Sequence, residues 1–472
     1  MLTLCGLYVA QGIPWGFVTV TFASWLAKPE QGITTGQLGP ILAVATLPWS
    51  FKFLWGPLMD RFTIRRLGRR RPWIIFAQSM AILVLGSMIF IDDLAGMVWT
   101  ATPQDHAFLK TIYAIVPGPL AALILVANIF VSLQDVAVDA LAVDLLEEKE
   151  RGVANGLMYG SSYLGTAIGG AGLGFVVAKF GIQAGLVGQA LLLFAIMMLP
   201  VFLRERPRGT DESDRRSLEN KQNETDTASS IDFGETPYMT PPSLDADQRL
   251  STAPEHEVGN GELETDSVFV NLLRAFSLRA TLLGVAIALG SKIGIGVITA
   301  VLVDYLMKEG GWTQQQYTTV TGGWAVMLGL VGAAAGGFLA DIFGPKPLIL
   351  AMSTALGLLW VSIGAVPGSL SSPAIMTGLL LGQELLLAVL SVSLFSLFMS
   401  ISWPKVAATQ FTTYMALMNL ATTIGSYTAG SLSHSLTVAE ILVVAGVLQM
   451  FVAIPVLFID PRQTRRVLGG AA

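Results

Sequence analysis

Twelve stretches of about 20 predominantly apolar residues, separated by short polar breaks, constrain this chain more than any other feature. They fall near 4–26, 36–58, 73–91, 116–142, 153–178, 183–203, 280–303, 317–340, 347–366, 373–401, 407–431 and 437–459. Each is long enough to cross a hydrocarbon layer about 30 Å thick. Lipid offers the backbone no hydrogen-bond partner outside its own segment, so all twelve are predicted to be helices. Composition agrees: 53% of residues are hydrophobic and only 13% charged, against about 25% charged in soluble domains. A water-soluble protein is excluded. The first stretch begins almost at Met1 with no basic leader or small-residue cleavage site, and is expected to be a retained span.

The same composition narrows the chemistry. One cysteine, Cys5, gives no disulfide framework and no thiolate zinc site. His106, His256 and His434 have no metal-ligand spacing, so neither metal nor cofactor is expected. A net charge of -5 does not suit a nucleic-acid binder. No Gly-x-x-x-x-Gly-Lys-(Ser/Thr) loop is present for direct ATP-driven work. No nucleophile elbow or metal motif points to an enzyme.

Basic residues set the expected orientation. Of 28 Lys and Arg, 22 lie in alternate connectors on one side, among them Arg61, Arg65, Arg66, Arg69, Arg70 and Arg71. By the positive-inside rule that side is cytoplasmic and holds both termini. Residues 204–266 are rich in Ser, Thr, Asp and Glu and poor in aliphatics. They are expected to be a disordered cytoplasmic linker between an N-terminal bundle (1–203) and a C-terminal part (267–466) that opens with an interfacial helix.

The connectors betray a duplication. After the second stretch the chain reads Gly56-Pro57-Leu58-Met59-Asp60-Arg61, then Gly68-Arg69-Arg70-Arg71. After the eighth it reads Gly337-Phe338-Leu339-Ala340-Asp341, then Gly344-Pro345-Lys346. Glycine permits close approach of a neighbouring backbone, and the aspartate can bind free N–H groups at a facing helix end. Asp144 and Arg151, beside the fourth stretch, are assigned to the same gate. The pattern resembles the loop signature of the major facilitator superfamily. That resemblance implies an all-α polytopic membrane protein, with 12 transmembrane helices in two pseudo-symmetric six-helix bundles around a central cavity.

Ionisable groups inside the spans are costly and are expected to face that cavity or a partner. Gln134-Asp135-Val136-Ala137-Val138-Asp139 places two carboxylates four residues apart, on one helix face. Lys52 lies at comparable depth; Lys292 and Glu384, with Gln383 beside it, lie mid-span in the second half. Two readings stay open: neutralised pairs that hold helices in register (Lys52 with Asp135 or Asp139, Lys292 with Glu384), or a carboxylate that takes and releases a proton. Asp304 is placed near the outer interface with little functional weight. Gln11, Trp15, Tyr159 and Tyr163 are candidates to line a sugar- or peptide-sized cavity. The glycines at 160, 165, 169, 170, 172 and 174 imply tight helix contact. The facilitator antiporter motif there would require a proline that is missing, which favours symport.

Three stretches are more specific. Phe51-Lys52-Phe53-Leu54-Trp55-Gly56-Pro57-Leu58-Met59-Asp60-Arg61, Gln134-Asp135…Asp139-Ala140 and Ala408-Thr409-Gln410-Phe411 resemble the AmpG-type muropeptide permeases. The five-residue insertion before Gly68 is usual in that family. Tyr8-Val9-Ala10-Gln11-Gly12-Ile13-Pro14 is similar to the acetyl-coenzyme A transporters of the same wider group. The resemblance implies proton-coupled uptake of anhydromuropeptides across a bacterial inner membrane, serving cell-wall recycling. Its partners would be a small polar solute, a proton and the lipid bilayer, with a single chain sufficient. Alternatives are another solute such as acetyl-coenzyme A, or a non-transporting receptor or assembly factor on the same fold.

Overall fold

The computed structural model describes residues 1–61, 70–98, 115–145, 151–202 and 268–468. The expected linker at 204–266 lies outside the described residues. Ten helices among them are long and apolar enough to cross a membrane. They are α1 (Leu2–Leu26), α3 (Arg71–Phe90), α4 (Pro119–Ala142), α5 (Gly156–Phe180), α6 (Ile182–Phe202), α7 (Arg279–Lys308), α8 (Gln314–Phe343), α9 (Pro345–Ala365), α10 (Pro373–Ile401) and α12 (Val438–Phe458). Two further helices hold the second and eleventh positions: α2 (Thr35–Ser50), which is short, and α11 (Ala407–Ser435), which is rich in Ser and Thr. A short amphipathic helix, Val268–Phe276, precedes α7.

α2 and α11 face each other across the two halves. Thr46 and Thr423 share a hydrogen bond of 2.7 Å in that seam. Close to it, Gly39 lies so near α11 that a methyl group added there would meet the Ser426 carbonyl at 2.3 Å. α5 and α8 form the second seam between the halves, where a methyl at Gly170 would reach the Gly322 backbone at 2.8 Å.

Within each half the same crossing recurs. In the first, α1 and α5 meet through Gly12, Gly16, Gly165 and Gly169; an added methyl on Gly12 or Gly169 would lie 2.1 Å from the carbonyl of Ser162 or Ile13. In the second, α7 and α11 meet through Gly296 and Gly425, where the same test gives 2.3 and 2.1 Å to the carbonyls of Thr422 and Ile293. Small residues at such crossings let backbones approach and pack by dispersion where lipid supplies no hydrophobic drive. The repeat is thus carried in the packing as well as in the connectors.

Three helices widen locally into π-type turns, at Phe17–Phe22 in α1, Ile168–Gly172 in α5 and Thr319–Trp324 in α8. These segments pack together. A π-turn leaves carbonyls poorly satisfied. The Thr21 hydroxyl lies 2.8 and 2.7 Å from those of Gly169 and Gly170 and shares its proton between them.

The duplicated connectors need a correction. Among the described residues, a methyl group added at Gly56 or Gly337 would meet nothing within 4 Å, so no described backbone approaches either glycine closely. Gly344 has a different use: its φ of +80° makes the turn between α8 and α9. Lys346 then donates hydrogen bonds to the Leu457 and Ile459 carbonyls at 2.8 and 3.1 Å, tying that turn to the end of α12. Asp341 is exposed, as is Arg61, while Arg70 is buried. Gly68, Arg69 and the side chains of Asp60, Asp144 and Arg151 lie outside the described residues.

Candidate functional site

The charged residues of the first half gather on α4. Asp135 and Asp139, one turn apart, take different partners. Lys52 Nζ lies 3.6 Å from Asp135 Oδ2, with the two side chains 18% and 17% exposed. Asp139 accepts a hydrogen bond from the Tyr8 hydroxyl of α1, and no salt bridge reaches it among the described residues. Tyr159 of α5 stands edge-on to Tyr8, ring centroids 6.3 Å apart, and is about half exposed. The cluster therefore joins α1, α4, α5 and the segment after α2.

That segment explains how a lysine reaches α4. The sequence predicts one continuous span over 36–58; instead the helix stops at Ser50 and re-forms at Trp55 through a short 3-10 turn, Lys52–Leu54. The break turns Lys52 towards Asp135, and Trp55 Nε1 donates to Ser132 Oγ on α4 at 2.9 Å. Phe51, Phe53 and Leu54 stay exposed.

The second half repeats the device. α7 is interrupted at Ser291 and Lys292, and Lys292 immediately precedes the following helix without a side-chain cap bond. Its ammonium donates to Ser391 Oγ of α10 at 2.8 Å. Glu384 lies seven residues before Ser391, on the same face and two turns, about 10 Å, along the helix. No salt bridge joins Lys292 and Glu384 among the described residues, and the Lys292 ammonium bonds to Ser391. Glu384 instead approaches the other half. A methyl at Gly329 of α8 would lie 3.2 Å from its carboxylate and 3.0 Å from the Tyr163 ring of α5.

The neutral candidates divide. Gln11 is 7% exposed and its Nε2 has no hydrogen-bond partner among the described residues. Trp15 packs edge-on against Trp49 at 5.7 Å. Gln134 and Gln383 do not fit the cavity-lining expectation. Gln134 donates to Gln78 Oε1 at 3.4 Å, and Gln78 donates to the Leu193 carbonyl at 2.8 Å, so both brace α3, α4 and α6. Gln383 accepts from Trp360 Nε1 of α9 at 3.1 Å. Each precedes its carboxylate by one residue, and neighbours on a helix point about 100° apart. Gln410 is likewise structural: its Oε1 accepts from the Trp403 N–H at 2.9 Å while its Nε2 donates to Thr281 and Tyr414.

The Lys52–Asp135 pair yields a stability prediction. Lys52→Met strands a shielded carboxylate and is expected to cost about 2 kcal/mol, less than the full cost of halving a deeply buried pair because both groups keep some exposure. Lys52→Met with Asp135→Leu should recover most of that loss in denaturant titrations of the detergent-solubilised protein. A double variant no more stable than the single one contradicts the pairing.

Comparison with known proteins places this arrangement. A D-xylose–proton symporter superposes over 98% of this chain and 97% of its own, with a TM-score of 0.65 at 14% identity. A peptide transporter in complex with alafosfalin gives 0.64 at 13%, covering 98% and 94%. The fold is that of the major facilitator superfamily. Within it the chain is AmpG-like at low identity over about a third of its length. Residues 1–169 match the family model of acetyl-coenzyme A transporter 1. The anhydromuropeptide permease of Escherichia coli K12 is 27% identical over 161 residues, 34% of this chain and 28% of that protein. A putative AmpG 4 transporter of Rickettsia felis is 29% identical over 169 residues, 35% of each chain. The match thus spans well under half the length of these curated relatives.

Proposed function

We propose that this chain is a secondary carrier, not an enzyme, that moves a polar sugar-peptide of the anhydromuropeptide class together with a proton. Its two halves would expose the site between them alternately to either face of a cell membrane, with both termini on the cytoplasmic side. The observation that carries the reading is the division of labour on α4. One carboxylate, Asp135, is matched by Lys52. The other, Asp139, has the neutral Tyr8 hydroxyl as its hydrogen-bond partner and no salt bridge among the described residues. A proton that neutralises Asp139, and leaves when the surroundings change, couples solute movement to a gradient. Glu384, set against Tyr163 across the halves, is the matching group on the other wall.

The solute class is supported by the AmpG-like relatives, matched over about a third of this chain, and by the lining. Tyr159, Tyr163 and Trp15 offer aromatic faces for sugar rings, and the Gln11 amide nitrogen has no hydrogen-bond partner among the described residues. A coenzyme A conjugate would need free cations for its phosphates. The two lysines inside the membrane-spanning region are engaged by Asp135 and Ser391, which favours the sugar-peptide. The Gly-x-x-x-Asp connectors would serve as the hinge between the two exposures.

Proteoliposomes containing the protein and an imposed pH gradient test this directly. Labelled anhydromuropeptide should accumulate above its external concentration, and a proton uncoupler should return it to parity. Accumulation that survives the uncoupler removes the coupling. Accumulation of acetyl-coenzyme A in place of the muropeptide reassigns the solute.

A further inference from the structure

Asp304 and Lys308 sit at the end of α7, four residues apart and on one face, with their charges 2.6 Å apart. An exposed pair of this spacing contributes little by itself. Each of these charges, however, has a second partner in the other half of the molecule. The Thr35 hydroxyl, at the start of α2, donates to Asp304 Oδ2 at 2.6 Å. Lys308 Nζ donates to the Ile33 carbonyl, just before α2, at 2.5 Å. The Asp304 and Lys308 side chains are only 13% and 27% exposed.

The receiving side is rigid. Thr34 caps α2 in a reciprocal box with Gln37, which fixes Ile33 and Thr35 within one tight turn. The two seams run from this point. A methyl added at Gly430 of α11 would lie 2.5 Å from the Gly36 Cα. Gln314, at the start of α8, donates to the Thr21 carbonyl of α1 at 3.3 Å. Among the described residues, the hydrogen bonds that cross between the halves are Thr35–Asp304, Lys308–Ile33, Gln314–Thr21 and Thr46–Thr423.

We propose that Thr35, Asp304 and Lys308 form a latch that holds the two halves together at the end opposite the basic connectors, and that it must open for that end to admit solute. The chemistry suits a reversible closure. Asp304 and Lys308 satisfy each other on α7, so parting the halves leaves no lone charge behind. The two bonds given up, to a hydroxyl and to a carbonyl, are replaced by water at little net cost. The inference rests on the alternating-exposure reading above, but its test needs no solute.

With Cys5→Ser as background, spin labels at Glu30→Cys and Gln315→Cys report the separation of the halves beside the latch in lipid nanodiscs. Thr35→Val keeps the shape of residue 35 and removes the donor. It should raise the ratio of long to short distances about fivefold, the weight of one hydrogen bond, and Asp304→Asn should shift it the same way. Thr35→Ser keeps the hydroxyl and should leave the ratio as in the parent. The latch is overturned if Thr35→Val and Asp304→Asn, both shown folded by their thermal unfolding, leave the distances unchanged, or if Thr35→Ser shifts them equally. Failure to transport any solute with these shifts intact would instead count against the proposed function alone.

Discussion

Asp139→Asn should abolish accumulation of solute against its gradient while leaving downhill exchange across the membrane. The reasoning turns on which α4 carboxylate has a cation. Lys52 engages Asp135, so a proton arriving there would have to displace an existing salt bridge. Asp139 bonds to the Tyr8 hydroxyl and has no salt bridge among the described residues. Asparagine mimics the neutral, protonated form and keeps an acceptor for Tyr8, so the halves can still exchange conformations, but no proton leaves or enters. Coupling is lost and facilitated exchange remains. Asp135→Asn is a different lesion: it frees Lys52 within the membrane-spanning region and should lower stability and transport together. Tyr8→Phe removes a hydrogen bond to a charged group, worth about 1.5–3 kcal/mol. It should slow coupled uptake roughly tenfold or more, without ending it. Counterflow and pH-driven uptake, measured side by side in proteoliposomes, separate these outcomes. An Asp139→Asn protein that concentrates solute like the parent would move the coupling site elsewhere, with Glu384 the next to test.

Much of this site was legible because the chemistry is sparse. In a chain where 13% of residues are charged, a lysine or carboxylate inside an apolar run stands out, and Lys52, Asp135, Asp139, Lys292 and Glu384 were all visible. The structure adds that the stretches read separately in the sequence converge. Tyr8 of the Tyr8–Pro14 stretch meets Asp139 of the Gln134–Ala140 stretch, and Lys52 and Trp55 of a third dock on the same helix. What the sequence hid was backbone geometry. A helix break at Phe51 or Ser291 carries no proline at the break and no charge run, so the turning of each lysine towards its partner could not be foreseen. Adjacent polar residues were equally opaque. Gln134 and Gln383 look like cavity residues beside their carboxylates but point into their own half. Asp304 was set aside as an interfacial charge because its partner in the other half, the Thr35 hydroxyl, is uncharged and 269 positions away.

The glycines separate in the same manner, and the separation predicts the largest effect on folding. Of 49 glycines in the chain, those at 165, 169 and 425 face a carbonyl of the crossing helix at 2.3, 2.1 and 2.1 Å from an added methyl group. Those at 160 and 337 face nothing within 4 Å among the described residues. A carbon and a carbonyl oxygen cannot share 2.1 Å, and the obstacle is backbone, which has no rotamer to move aside. Gly169→Ala or Gly425→Ala must therefore push two helices apart by more than 1 Å along a crossing that anchors each half. The expected cost is about 3 kcal/mol, the upper range for overpacking, with a several-fold loss of folded protein in the membrane. Leucine at either position should leave no folded protein to purify. Gly160→Ala and Gly337→Ala meet no neighbour and gain helix propensity of up to about 1 kcal/mol, so they should be neutral or mildly stabilising. Thermal unfolding and yield of the four alanine variants decide the matter. Because Gly169 belongs to α1–α5 and Gly425 to α7–α11, losses of similar size at both would show that the duplicated halves are held by one crossing used twice. Equal tolerance at all four positions would mean that the helices have slack at their closest approach, and the packing basis of the repeat would fail with it.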